Sequence, residues 1–172
     1  WHQPFSKVCD YANPPFARWF VGGKTNLCHN AVDRHLKDRA QQNALVFVST
    51  ETDEERTYSF QQLHDEVQRM AAVLLALGVK QSDRVLVYMP MIPEAAFAML
   101  ACARIGAIHS VVFGGFSAKS LEERILDAGA VAVITMDEQC RGGKAIPLKP
   151  AVDEALNMAA NHPVKTVVVI KR

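Results

Sequence analysis

The sequence has 172 residues, of which 49% are hydrophobic, and its formal net charge at pH 7 is +1. This length and apolar content suffice for an ordinary domain with its own core, which excludes a disordered chain. The near-neutral charge argues against a nucleic-acid-binding surface or an acidic tail. The four cysteines include no Cys-x-x-Cys pair, so we expect no disulfide framework and no zinc site, and we expect a cytoplasmic protein.

The N-terminal residues, 1–25, combine three prolines with six aromatic side chains. Their irregular pattern predicts an extended arm whose aromatic rings anchor it to a core. A free aromatic platform that binds a ligand is the alternative. The remaining residues, 26–172, are expected to form one domain.

The next elements are a helix, a hairpin and a second helix. Asn30 can cap a helix that begins there, and two short strands at 44–50 and 57–60 are typical of a hairpin. Ser59 and Gln62 fit the Ser-x-x-Gln capping box, and the apolar residues that follow recur every three or four positions. The pattern therefore predicts a long helix directly after the hairpin.

From residue 84 onward, predicted strands alternate with predicted helices. The strands are rich in valine and isoleucine and lie at 84–89, 108–113, 131–135 and 166–170. The helices lie between them, at 93–105, 117–128 and 150–160. Continuous apolar strands that alternate with helices are typical of a parallel sheet covered on both faces. The predicted fold class is therefore α/β: an open, mostly parallel sheet flanked by helices, preceded by the extended arm and the short hairpin.

Two glycine-bearing segments follow predicted strands. The first is Phe113-Gly114-Gly115-Phe116, here called the glycine loop, and the second is Arg141-Gly142-Gly143-Lys144, here called the cationic turn. Glycines allow a ligand close to the backbone, and two cations three residues apart can reach one phosphate. Taken singly, each segment is also compatible with a plain strand-to-helix turn or a solvated loop. Because parallel strands end at the same edge of a sheet, the two together favour a phosphate-bearing ligand.

The residue types typical of catalysis and metal binding do not form recognisable patterns. The six histidines are dispersed, and there is no Gly-x-Ser-x-Gly elbow or Gly-x-Gly-x-x-Gly fingerprint. We therefore predict no catalytic residue and no metal ligand in these 172 residues.

Several runs together carry a resemblance to a known family. They are the eight residues from Ser110 to Ser117, the cationic turn with Ile146-Pro147-Leu148-Lys149, Asn26-Leu27-Cys28-His29-Asn30, and the stretch from Met89 to Ala95. In order and spacing these runs resemble the AMP-forming short-chain acyl-CoA synthetases, and the resemblance covers essentially the whole chain. The stretches 13–20 and 100–109 favour the bacterial propionate-activating members, with the acetate-activating members as the near alternative.

The resemblance implies a reaction, its substrates and a binding role. In this family a carboxylate attacks the α-phosphate of ATP with help from Mg²⁺, and the CoA thiol then displaces AMP from the acyl-adenylate. The matching positions imply that Phe113, Gly114 and Gly115 line CoA. They also imply that the cationic turn, Arg141, Gly142, Gly143 and Lys144, holds the 3′-phosphate of CoA. Many members carry arginine where Lys144 stands, so one forked contact becomes a point charge here.

The resemblance further implies that the chain is the first part of a large N-terminal domain, and therefore an incomplete one. The ATP-phosphate loop, the Tyr-Gly-x-Thr-Glu segment, the ribose-binding aspartate, the hinge and the C-terminal catalytic lysine have no match in it. We therefore expect the chain alone to be inactive and its partners to be small-molecule substrates and the rest of its own polypeptide. A free-standing CoA- or nucleotide-binding domain and a scaffold without ligand affinity are the alternatives.

Overall fold

The computed structural model describes residues 1–171, and its first elements form an antiparallel hairpin. Strand β1 (Lys7–Asn13) pairs with β2 (Phe16–Val21), with Cys9 opposite Trp19. The prediction of an irregular segment is therefore wrong for these residues. Their apolar and polar side chains do not alternate regularly, because the hairpin is exposed along most of both strands.

Three aromatic side chains at and before this N-terminal hairpin contact each other, and none of the three is buried. The ring centroids of Trp1, Phe5 and Phe20 are 5.2–5.3 Å apart. Phe16 and Trp19 remain 71% and 64% exposed. The expected anchoring of the arm by its rings is thus replaced by a small surface cluster.

A short helical segment follows, and its cap differs from the predicted one. Helix α1 spans Leu27–Ala31, a 3₁₀ turn spans Asp33–His35, and α2 spans Leu36–Arg39. The cap is Asn26, whose side-chain oxygen accepts a hydrogen bond from the backbone of His29 at 3.1 Å. Asn30 lies inside α1, where its side-chain Nδ2 donates to the backbone oxygen of Asn26 at 3.0 Å.

The second hairpin and the long helix confirm the prediction. Strands β3 (Asn43–Ser49) and β4 (Glu54–Ser59) are antiparallel, and α3 (Phe60–Ala76) begins immediately after them. The capping box is complete. The backbone N–H of Gln62 donates to Ser59 Oγ at 3.2 Å, and the backbone N–H of Ser59 donates to the side-chain Oε1 of Gln62 at 2.8 Å.

Replacing Ser59 with alanine should destabilise the chain by about 1 kcal/mol, because the amide of Gln62 loses its acceptor at the start of α3. Urea unfolding of the 172-residue chain measures this change. Gln68→Ala, on the exposed side of the same helix, is the matched control. Equal unfolding midpoints for the two variants would contradict the assignment of the cap.

The main sheet has four parallel strands in the order β10-β7-β5-β6. Its strands are β5 (Arg84–Met89), β6 (Ile108–Phe113), β7 (Ala132–Met136) and β10 (Thr166–Ile170). The connecting helices are α4 (Pro93–Ile105), α5 (Ala118–Ala128) and α6 (Lys149–Met158). The predicted α/β class and parallel sheet are confirmed, and a short hairpin, β8 (Glu138–Arg141) with β9 (Lys144–Pro147), was not predicted.

Two hydrophobic cores lie on opposite faces of this sheet. Along β5, Val85 and Val87 point into a core shared with α3 and α4, whereas Leu86 and Tyr88 point into one shared with α5 and α6. This alternation follows from the two-residue period of a strand. Because both faces are covered, β5 is buried over nearly its whole length.

The strand order places a topological switch at the centre of the sheet. From β5 the chain passes to β6 on one side and then crosses back to β7 on the other. The connections that leave β5 and β7 therefore diverge, and they open a crevice at the carboxyl ends of these strands, where open α/β sheets bind ligands. The glycine loop and the cationic turn both lie at this edge.

Candidate functional site

The glycine loop begins at the end of β6 and is fixed from the centre of the sheet. Phe113 is the last residue of β6, and Ser117 caps α5 by accepting a hydrogen bond from the amide of Ser120 at 3.3 Å. Between them, the backbone oxygens of Gly114 and Phe116 accept hydrogen bonds from the hydroxyl of Tyr88 at 3.3 and 3.0 Å. The loop is thus held by a buried side chain of β5.

The cationic turn forms the tip of the hairpin β8–β9. Arg141 and Lys144 are directly paired in the register, and Gly142 and Gly143 connect them with φ angles of 58° and 69°. Positive φ at both central residues is the geometry of a two-residue hairpin turn, and it requires residues such as glycine. All four residues are exposed, so both cations are accessible to a ligand.

The structure brings the glycine loop and the cationic turn together. The guanidinium carbon of Arg141 lies 5.3 Å from the ring centroid of Phe113. A Cβ atom on Gly115 would lie only 3.0 Å from Nη1 of Arg141, and one on Gly114 would lie 2.8 Å from Oε1 of Gln139. A side chain at either position would therefore have to displace the end of Gln139 or of Arg141, so the two glycines leave room for the present contacts of β8 with the loop.

One acidic side chain that the sequence analysis did not single out also contacts the cationic turn. Glu51, between β3 and β4, accepts a hydrogen bond from the amide of Gly143 at 3.2 Å. The amides of Gly142 and Gly143 lower the pKa of Glu51 below its usual value. Since 92 residues separate Glu51 from Gly143, no local pattern in the sequence could have revealed this contact.

A cavity of about 270 Å³ lies between hairpin β3–β4 and hairpin β8–β9, at the carboxyl end of the sheet. Its lining includes Phe47, Glu51, Phe113, Gln139 and Arg141. The cavity is adjacent to the topological switch and mixes aromatic rings with charged groups, which is the usual composition of small-molecule sites.

The part of the chain that the structure describes contains neither a metal-binding cluster nor a membrane-spanning helix. Within residues 1–171, no three His, Cys, Asp or Glu side chains converge in a metal-binding arrangement. We assign no residue of this chain to the magnesium that the resemblance implies. No helix in the described part of the chain is both long and apolar enough to cross a membrane.

The class of protein to which this fold belongs follows from comparison with known proteins. The profile of the AMP-binding enzyme family matches residues 32–172, and that of the acetyl-coenzyme A synthetase N-terminus matches residues 1–31. The chain belongs to the AMP-binding enzyme family. This confirms the resemblance inferred from the sequence.

Individual relatives are similar over the whole chain. It is 56% identical over 172 residues to the propionate–CoA ligase of Salmonella typhimurium, an alignment that covers 100% of this chain and 27% of the relative. It is 54% identical over 171 residues to the acetyl-coenzyme A synthetase of Nitrosomonas europaea, covering 99% of this chain and 26% of that protein. This chain therefore spans about a quarter of the length of these relatives.

A solved structure shows the same fold. The acetoacetyl-CoA synthetase from Streptomyces lividans superposes with a TM-score of 0.88 at 32% sequence identity. The superposition covers 98% of this chain and 25% of that protein. The predicted fold, the first part of the N-terminal domain of an acyl-CoA synthetase, is confirmed.

Proposed function

We propose that this chain is the N-terminal part of an AMP-forming propionate–CoA ligase and that it contributes part of the CoA-binding surface. The observation that carries the proposal is the contact between the glycine loop and Arg141 of the cationic turn, at the carboxyl edge of the sheet. This contact places the exposed ring of Phe113 and the guanidinium of Arg141 at one cavity, with the exposed backbone of Gly115 beside them and Lys144 paired with Arg141 across the turn.

In this proposal each site residue has a role that follows from its chemistry. Arg141 offers a planar fork of donors and Lys144 a point charge, and both engage the 3′-phosphate of CoA. Gly142 and Gly143 form the turn that keeps these two side chains on adjacent strands. Phe113, Gly114 and Gly115 lie along the neighbouring path of CoA. Phe113 contributes an exposed aromatic ring that lines the cavity, and Gly115 contributes exposed backbone, whereas Gly114 is buried and supports the loop from below.

The proposed whole reaction has two steps. Propionate attacks the α-phosphate of ATP to give propionyl-adenylate and pyrophosphate, and the CoA thiol then attacks the adenylate carbonyl and releases AMP. We assign the adenylation step, with its ATP and Mg²⁺, to other parts of the polypeptide. Acetate is the alternative substrate, since an acetyl-coenzyme A synthetase is 54% identical to this chain.

The proposal includes contact with the rest of the polypeptide. At the edge of the sheet, Ile108, Val111 and Phe113 of β6 are 55%, 51% and 46% exposed. An exposed apolar edge strand promotes association and is usually covered. We propose that further segments of the ligase cover β6, and that residues 1–25 are an arm distinct from the incomplete domain 26–172.

The test is the reaction itself, with its two halves measured separately. The whole protein that carries this chain should convert propionate, ATP and CoA to propionyl-CoA, AMP and pyrophosphate, with kcat/KM higher for propionate than for acetate. The 172-residue chain alone should show no propionate-dependent exchange between ATP and pyrophosphate. Release of ADP by the whole protein, or exchange by the short chain, would overturn the proposal.

A further inference from the structure

We propose that Gln139 is a positioning residue that fixes the cationic turn against the glycine loop and so aims Arg141 at the CoA phosphate. The inference rests on the proposed function and deepens it, because it identifies what holds the phosphate-binding cation in place. Gln139 belongs to no sequence motif recognised above, and it lies two residues before Arg141 on β8.

Gln139 is a buried polar side chain with one specific hydrogen bond. It is 4% exposed, and its Nε2 donates to the backbone oxygen of Gly114 at 2.5 Å. A buried amide left without such a partner is costly, so the side chain strongly favours this single arrangement. The bond joins positions 25 residues apart and links β8 to the glycine loop.

The acceptor of this bond is itself anchored in the core. The same oxygen of Gly114 lies 3.3 Å from the hydroxyl of Tyr88, which also donates to the oxygen of Phe116. Tyr88 is 2% exposed on the central strand β5, and burial raises the pKa of its phenol, which therefore stays a hydrogen-bond donor. The chain of contacts thus runs from the centre of the sheet through Gly114 to Gln139.

Gln139 also restricts the position of Arg141, because the two residues lie on the same short strand, β8. Residues two apart on a strand point to the same face, so both side chains of β8 project toward the glycine loop. This agrees with the Arg141 guanidinium above the ring of Phe113 and with the tight space at Gly114 and Gly115. If the Gln139 bond is lost, the exposed contacts of Arg141 with Phe113 and of Gly143 with Glu51 remain, and we expect them to hold β8 and Arg141 less closely against the loop.

The experiment uses the whole protein and compares CoA with dephospho-CoA, which lacks the 3′-phosphate. We expect the unaltered protein to prefer CoA by at least tenfold in kcat/KM. Gln139→Leu removes the donor at similar volume and should reduce this preference to about threefold or less. ATP–pyrophosphate exchange with propionate needs no CoA and should change by less than twofold.

Two further variants make the test specific. Gln139→Glu keeps the shape but replaces the donor with a carboxylate facing a carbonyl, so it should lose the CoA preference at least as completely. Gln139→Glu also provides the test if the Gln139→Leu variant does not fold. Gln68→Leu, the same change on the exposed side of α3, should retain the preference of the unaltered protein.

The outcomes separate this inference from the proposed function. If the unaltered protein does not distinguish CoA from dephospho-CoA, the assignment of the 3′-phosphate to the cationic turn fails. If it does distinguish them and both Gln139 variants distinguish them equally well, the phosphate assignment survives and the positioning role is overturned. A parallel loss of exchange activity and CoA preference would assign Gln139 a general structural role and would also overturn the inference.

Discussion

Replacing Arg141 with alanine in the whole protein should raise KM for CoA about 10- to 100-fold, because a charge-assisted contact to phosphate is worth roughly 1.5–3 kcal/mol. The KM for dephospho-CoA should change by less than threefold, since that substrate has no 3′-phosphate to lose a contact. Steady-state kinetics with both substrates at saturating ATP and propionate measure the difference.

The physical reason lies in the exposure and placement of this side chain. Arg141 is held over the ring of Phe113 but remains exposed, so its guanidinium can bind an incoming anion without first breaking a buried ion pair. Arg141→Lys keeps the charge and loses the fork, and it should give an intermediate KM.

Arg39→Ala is the matched control for this prediction. Arg39 is an exposed arginine on α2, with its guanidinium 4.9 Å from the ring of Phe60, and it has no role in the proposed site. Its replacement should leave both KM values near those of the unaltered protein. An equal rise in KM for CoA and dephospho-CoA in the Arg141 variant would show that Arg141 does not bind the 3′-phosphate.

The elements that could be predicted are those with a strong local signal. The strands β5, β6, β7 and β10 are rich in apolar residues, and the start of α3 is specified by Ser59 and Gln62 within four residues. Such patterns determine the secondary structure wherever the segment is placed in the fold. The seven predicted site residues also lie at one edge of the sheet, because parallel strands end on the same side.

The features that could not be predicted depend on distant contacts. Hairpin β8–β9 has four-residue strands with little apolar alternation, and Gln139 is buried at a contact with Gly114, 25 residues away in sequence. Glu51 reaches the cationic turn from another hairpin. The sequence analysis placed the helix cap at Asn30, whereas the cap is Asn26, whose side chain also donates to the backbone oxygen of Ala103 in α4, 77 residues away.

An ion pair between Asp33 and Arg104 joins the N-terminal helical segment to the main domain. Asp33, in the 3₁₀ turn, accepts a hydrogen bond from Nη2 of Arg104 on α4 at 2.5 Å, and Nε2 of His64 on α3 lies 3.5 Å from the same oxygen. Burial disfavours the charge of Arg104, but hydrogen bonds to Asp33 and Cys28 outweigh it and raise the pKa of the guanidinium.

Asp33→Ala should destabilise the 172-residue chain by about 2 kcal/mol, between the small cost for exposed pairs and the larger cost for fully buried ones. The side chains of Arg104 and Asp33 are 17% and 23% exposed. In the Asp33→Ala variant the guanidinium of Arg104 therefore loses its carboxylate partner and is only partly solvated. With a typical urea dependence of about 2 kcal/mol per molar, the unfolding midpoint should fall by about 1 M.

A double-mutant cycle separates the ion pair from other effects of the substitution. In the Arg104→Met background the guanidinium is already absent, so Asp33→Ala leaves no unpaired charge at position 104. There the loss in free energy of unfolding should be less than about half as large. Asp38→Ala, at an exposed position of α2, should shift the midpoint little. Equal costs in the two backgrounds would mean that Asp33 stabilises the fold through its other neighbours, and that Arg104 does not hold the N-terminal segment in place.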